Sequence, residues 1–240
     1  MKLKLFGLSA LLVLCLAATA PAGQSAPAGD KKGQNISDQK AASSESAAAV
    51  SNNALASRLA VYARQAKSPM ALAAAAQIFA TSALEDVKKA KTDENGAAVP
   101  AVPGEKAPDA QALFAEALAM AKEQQNLALA DLIDKQAKAS GQTKGRAGGA
   151  ARHIDTVLAG KTDMYRVTFR GGESARVAAV ADGNQDIDIH IYDENGNFIT
   201  KDDAFDSTPI CAWTPKWTGE FTIKVKNNEK SSVRYILMTN

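Results

Sequence analysis

Cysteine is almost absent from this chain: Cys15 and Cys211 are the only two in 240 residues. Cys15 lies in an N-terminal apolar stretch that export would remove. Cys211 is then the one remaining thiol, and an intramolecular disulfide is excluded. Cys211 reads as a small buried strand residue, the alternatives being an intermolecular bridge or a reactive thiol. No His, Lys or Arg stands beside it to activate it. Histidine is equally scarce, with His153 and His190 the only two. A histidine-built metal site would need both together. Gly-x-Ser-x-Gly, His-Glu-x-x-His and Cys-x-x-Cys are all missing, so nothing supports hydrolysis beyond a generic Asp-x-Asp. Excess charge is missing too. Lys2 and Lys4 belong to the removable segment, and taking them from the 28 Lys and Arg leaves as many as the 26 Asp and Glu. A neutral chain gives no reason to expect nucleic acid or an anionic membrane as partner.

What is present begins with an export signal. Lys2 and Lys4 form a positive n-region, Leu5 to Leu16 an apolar h-region, and Ala20-Pro21-Ala22 a small-residue cleavage triplet. The apolar run is short for a membrane span, and no second one follows. Leu14 precedes Cys15 where a lipoprotein signal wants a small residue, so plain secretion is favoured over a lipid anchor. The expected destination is the periplasm or the medium.

Residues 23–49 are rich in Ala, Ser, Gly, Gln and Lys without an apolar period, and read as a flexible leader. Asn35-Ile36-Ser37 is formally a glycosylation sequon within it. Helical patterning follows over 50–140. Leu55, Leu59 and Tyr62 recur at helical spacing, which predicts one apolar face. Ser68-Pro69 caps a second helix running to about Lys89. Lys91 to Pro108 is broken by proline and glycine and reads as a loop. Asp109 caps a third helix with Leu113, Phe114 and Leu118 inward, and a fourth runs from about Gln125 to Ala139 with Leu129, Leu132 and Ile133 inward. A small bundle or a repeat-like stack would both fit, although no fixed period is evident. Residues 141–150, with four glycines, read as a linker.

From His153 the period changes to two. Short strands are expected at His153–Leu158, Met164–Phe169, Ala175–Ala181, Asp186–Asp193, Phe198–Thr200, Ile210–Trp213, Glu220–Lys226 and Val233–Met238. No connection is long enough for crossover helices, so the sheets must be mainly antiparallel. The expected fold class is α+β in two segregated parts: a short α-helical bundle, then a jelly-roll-like antiparallel β-sandwich over 151–240.

The strand Asp186 to Asp193 carries the candidate chemistry. Ile187, Ile189 and Ile191 take one face; Asp186, Asp188, His190 and Tyr192 take the other. Carboxylates on that face stand about 6.6 Å apart, near enough for two to approach one cation. Between Asp182 and Asp206 there are eight acids and one lysine, with Asp202 and Asp203 just past an Asn-Gly hairpin. Hard oxygen donors without Cys or a second His favour calcium, held by Asp186, Asp188, Asp202 and Asp203. No EF-hand spacing supports it, and the plain alternative is a solvated acidic face that discourages aggregation. His190 and Tyr192 are the candidate ligand contacts. Trp213 and Trp217 read as core and corner packing, or as an aromatic platform.

Met164 to Asn240 resembles the bacterial pre-peptidase C-terminal domain. The resemblance rests on Phe169-Arg170-Gly171-Gly172-Glu173, on Asp186-x-Asp188 leading to Tyr192-Asp193-Glu194-Asn195-Gly196, and on Trp217-Thr218-Gly219-x-Phe221. Phe221 stands where that family often has Tyr, and no peptidase precedes the module. The resemblance implies a β-sandwich appended to exported proteins. Calcium binding by relatives of this module adds weight to the metal reading by analogy alone. The function expected is therefore an exported, non-catalytic binding or accessory protein. It would recognise an extracytoplasmic protein, peptide or polysaccharide, with calcium as an assisting ion. A secreted hydrolase using Asp186, Asp188 and His190 is one alternative; a structural envelope protein assembling through its helices is another.

Overall fold

Helices form where caps and alanine content favour them. The computed structural model describes residues 33–100, 109–140 and 146–240, all in one compact unit. The expected signal 1–22, the leader up to residue 32, the loop 101–108 and residues 141–145 of the expected linker lie outside the described residues. Helix α1 spans Glu45–Gln65, with the Ser44 hydroxyl accepting from the Ala47 amide. Helix α2, Pro69–Thr81, starts on the predicted Ser68-Pro69 cap. Helix α3, Ala110–Glu123, starts on Asp109, and α4 spans Leu127–Ser140.

The buried face of α1 matches the expected one only at Leu59. Leu55 and Tyr62 are 56% and 60% exposed. Alanines do the packing instead. Ala56, Ala60 and Ala63 meet Leu72, Ala76, Leu113 and Phe114 of the neighbouring helices. Ala49, Val50 and Ala54 rest on the sheet residues Ala178, Val180 and Met238. Small side chains let helix and sheet backbones approach closely, and the large ones are pushed to the rim. Leu132 of α4 is likewise turned outward, whereas Ile133 is enclosed as expected.

The eight predicted strands all form: β4 Arg146–Val157, β5 Thr162–Phe169, β6 Ala175–Ala181, β7 Ile187–Tyr192, β8 Phe198–Asp202, β9 Ile210–Trp213, β10 Gly219–Asn227 and β11 Val233–Thr239. They pair β4 with β11, β5 with β10, β6 with β9 and β7 with β8, all antiparallel. This nesting around the β7–β8 hairpin is one long ladder rolled into two sheets, the jelly-roll arrangement. Three further strands come from the segment between α2 and α3: β1 Ala83–Asp86, β2 Lys91–Thr92 and β3 Ala98–Val99. The first sheet runs β1-β4-β11-β6-β9 and the second β3-β2-β5-β10-β7-β8. Only the β1–β4 pairing is parallel among the described ladders. Between the sheets lies the main core, including Ile187, Ile189, Ile191, Ile223 and Leu237, each fully enclosed. Helix α1 covers the outer face of the first sheet.

Two expected boundaries move. Residues 146–150 of the expected linker belong to β4, and residues 83–99 leave the helical part to edge both sheets. The expected leader is also structured from residue 33. Gln34 donates to the Phe198 carbonyl at 2.9 Å, Ser37 N–H to the Thr214 carbonyl at 2.7 Å, and Ala41 N–H to Thr214 Oγ1 at 3.0 Å. This extended strap uses backbone and amide bonds that leave no hydrophobic period to read.

The segment between α2 and α3 is anchored by a buried ion cluster. Lys91 of β2 places Nζ 2.8 Å from Asp155 Oδ1, 2.9 Å from Asp163 Oδ2 and 2.9 Å from the Thr156 carbonyl. Its side chain is 1% exposed, and those of Asp155 and Asp163 are 0% and 5%. The Tyr235 hydroxyl donates to Asp163 Oδ2 at 2.8 Å and is hydrogen-bonded to the Tyr165 hydroxyl. His153 Nε2 lies 3.2 Å from Asp155 Oδ2. Lys91→Met would leave Asp155 and Asp163 enclosed without the group that bonds both. The expected cost is about 3–5 kcal/mol, read as a lower denaturant midpoint. An unchanged midpoint would mean the cluster does not anchor the connector.

Candidate functional site

The candidate residues sit on the β7–β8 hairpin and the sheet around it. Alternation drives Ile187, Ile189 and Ile191 into the core, so Asp188, His190 and Tyr192 face outward. The hairpin turns at Gly196, whose φ of +79° suits glycine. Asp193 builds that turn. Its Oδ1 accepts from the amides of Asn195 at 2.9 Å and Asn197 at 2.8 Å, and its Oδ2 from the Asn197 side chain and the Asn35 amide, both at 3.0 Å. Burial alone would raise the Asp193 carboxyl, but these donors outweigh it and hold it below the usual carboxylate range.

The four proposed calcium ligands are not brought together. Asp186 Oδ2 accepts from Asn228 at 2.9 Å, and its Oδ1 has no hydrogen-bond partner among the described residues. Asp188 is buried and lies 3.9 Å from Lys226 Nζ. Asp202 is in register with the core residue Ile189, which puts it on the face opposite Asp188. Its oxygens accept from the Ile210 amide at 2.9 Å and the Ala204 amide at 3.3 Å. Asp203 is paired with Lys201 at the surface. Among the described residues no group of three or more His, Cys, Asp or Glu is placed to hold a metal ion. The acidic face expected to be solvated is in part enclosed and divided among separate donors.

His190 and Tyr192 do lie on an open face. His190 stands across from Lys224 on one side and Lys201 on the other. Lys224 Nζ sits 5.0 Å over the Tyr192 ring, and Phe198 meets that ring edge-on at 5.8 Å. Met164, Arg166, Glu220 and Thr222 complete a shallow groove there. Arg166 and Glu220 pair at 3.2 Å across it. Among the described residues His190 donates no hydrogen bond to Asp186 or Asp188, and Asp193 and Glu194 also line the groove. This arrangement presents an aromatic ring, cations and mixed polar groups.

The remaining sequence candidates are structural. Trp213 packs edge-on against Phe169 at 4.9 Å and tilted against Phe221 at 5.2 Å, inside the core. Cys211 is buried, and burial, reinforced by the Asp202 charge, pushes its thiol up to about 12. Such a thiol is inert at neutral pH. Trp217 donates its indole N–H to Glu194 Oε1 at 2.6 Å.

One corner was missed by sequence reasoning. Asn35 is 0% exposed. Its Oδ1 accepts from the Trp217 amide at 3.1 Å, and its Nδ2 donates to the Trp217 carbonyl at 3.1 Å and to Glu194 at 3.4 Å. The sequon is therefore consumed by the fold. Gly171 belongs to the same corner: a Cβ there would come within 2.6 Å of the Trp217 Cα. Its amide donates to Thr218 Oγ1 at 3.0 Å. Segments far apart in sequence thus meet through polar bonds, which no periodicity announces.

No family model matches the chain, and no curated protein matches it. Among solved structures it is similar to PliG of Aeromonas hydrophila, a periplasmic inhibitor of g-type lysozyme. That likeness has 14% identity and a TM-score of 0.31, over 41% of this chain and 91% of the other. A de novo designed double-stranded β-helix is similar at 16% identity and a TM-score of 0.25, over 37% of this chain and 97% of the other. At these scores neither likeness carries an argument about function. Among the described residues no helix is long and apolar enough to cross a membrane.

Two outcomes follow from this geometry. The depressed Asp193 carboxyl contributes stability that is complete above its unfolded value of about 3.9 and is lost as pH falls through the lower folded value. Acidification below about pH 4 should accelerate hydrogen exchange at the Asn35 and Asn197 amides. Asp193→Ala should remove that pH dependence and cost roughly 2–3 kcal/mol; retention of both would show that the turn is held otherwise. Separately, the melting temperature should be the same in millimolar calcium and in chelator. A rise of several degrees with calcium, abolished by Asp186→Ala with Asp188→Ala, would reinstate the calcium site.

Proposed function

We propose that the protein is an exported, non-catalytic binding or accessory module. Its sandwich would present the outer face of the second sheet to an extracytoplasmic protein, peptide or polysaccharide. The observation that carries this reading is the one-sided cover. Helix α1 occupies the outer face of the first sheet, while the opposite face keeps Tyr192, Phe198, Met164, Lys224 and Arg166 at an open groove. Aromatic rings flanked by cations suit recognition of extended chains, because they offer contact area at low entropic cost. The resemblance of Met164–Asn240 to the pre-peptidase C-terminal domain, an appended module, agrees with this role. The aromatic and cationic side chains displayed on that face favour binding over the hydrolase alternative. Calcium enters this proposal only if the melting experiment requires it.

The test is binding of the purified protein to arrayed polysaccharides and to purified envelope proteins, with Tyr192→Ala and Lys224→Glu alongside. If Tyr192 anchors the contact, its loss should cost about 2 kcal/mol, roughly thirtyfold in affinity. Full binding by a variant carrying both Tyr192→Ala and Lys224→Glu would place recognition elsewhere, and turnover of a bound polysaccharide or peptide would return the protein to the hydrolases.

A further inference from the structure

The ion cluster under β2 has the makings of more than a salt bridge. Lys91 is enclosed with two carboxylates, and these are held differently. Asp155 receives the Thr156 amide at 2.7 Å, Lys91 at 2.8 Å, and sits 3.2 Å from His153 Nε2. Burial would raise its carboxyl, but these bonds outweigh burial and hold it down at about 2. Asp155 is thus kept as a carboxylate. Asp163 receives only Lys91 and the Tyr235 hydroxyl among the described bonds, both on Oδ2. Burial outweighs them and pushes the Asp163 carboxyl up, toward its neutral acid.

The forms that react are a neutral amine and a neutral carboxylic acid, and the enclosure keeps competing water away from both groups. An amine held 2.9 Å from one carboxyl oxygen is already at near-attack range of the adjoining carbon. We propose that Lys91 Nζ and Asp163 Cγ become joined in an intramolecular isopeptide amide, with Asp155 as the proton acceptor and Tyr235 holding the carbonyl oxygen.

The chemistry balances without a cofactor or oxidant. The Lys91 ammonium passes one proton to the Asp155 carboxylate. The freed amine pair attacks Cγ of protonated Asp163; the C–N bond forms as the C=O pair moves onto Oδ2. That oxygen already accepts from Tyr235, so the developing charge meets a placed donor. Asp155 then gives its proton to the departing hydroxyl and takes one from nitrogen. The C–Oδ1 bond breaks and one water leaves. The products are a secondary amide, water and Asp155 retaining the proton that began on the ammonium. Asp163 also lines a cleft with Asp93, Leu158 and Lys161, which gives that water an exit. The cross-link would fasten β2 to β5, a pairing otherwise recorded at the single register position Thr92 and Met164.

Mass spectrometry of the full protein tests this directly. The wild type should be lighter than its sequence by one water after denaturation. Trypsin should release Ala90–Lys106 joined to Thr162–Arg166, uncleaved after Lys91. Lys91→Met, Asp163→Ala and Asp155→Asn should each carry the full sequence mass. Wild-type protein of full mass, with cleavage after Lys91, would overturn the proposal whether or not the variants fold. A link from Lys91 to His153–Lys161 would overturn the assignment of roles to the two aspartates.

Discussion

Lys91 is enclosed with no access to water, and the fold has to answer its polar head from three directions. Asp155 comes from β4, Asp163 from the start of β5, and the two tyrosines from β5 and β11. Strands of both sheets must be in register for these groups to converge. The chain between α2 and α3 must also return to the sandwich edge to deliver the lysine. A buried charge is costly unless every neighbour is in place. The cluster therefore couples the order of the connector to the closure of the sandwich. The helices follow, because the same connector begins where α2 ends and passes through β1, which pairs with β4.

A second set of polar bonds performs the matching task at the hairpin end. Asn35, Asp193, Glu194 and Trp217 tie the N-terminal strap to the β7–β8 turn and to the approach to β10. Both clusters lie at junctions of segments, where apolar packing alone would leave the approach angle undetermined. Between them the nested ladder is held by ordinary hydrophobic burial, with three isoleucines of β7 facing the opposite sheet. Helix α1 covers the outer face of the first sheet, and the second sheet turns its own outer face the other way. That face is where His190, Tyr192 and Lys224 are displayed.

Much of the architecture was legible in the residues. Alternation located all eight sandwich strands, because a side-chain period of two marks a half-buried strand whatever it pairs with. Ser68-Pro69 and Asp109 marked helix starts, because capping is a local interaction. In α1 Leu59 packs inward as its spacing predicts, but Leu55 and Tyr62 do not, since the seam is made by alanines that carry almost no hydrophobic signal. A two-residue strand has no period, so Lys91 carries only the signal of a loop. His190 and Tyr192 were placed on an outward face by alternation alone. Asp202 was grouped with Asp188 by proximity in sequence, and the strand register separated them.

By itself, then, the sequence determined what depends on near neighbours: strand and helix positions, the caps, the hairpin turn and the α+β class. Those features arise from steric and hydrogen-bonding preferences that act within a few residues. Only the tertiary structure decided which carboxylates share a neighbour, that Asn35 is a buried corner residue, and that Lys91 lies between Asp155 and Asp163. Those pairings join residues between 64 and 182 positions apart. Their energies exist only after the sheets have closed and water has been expelled, so no local pattern in the chain can record them.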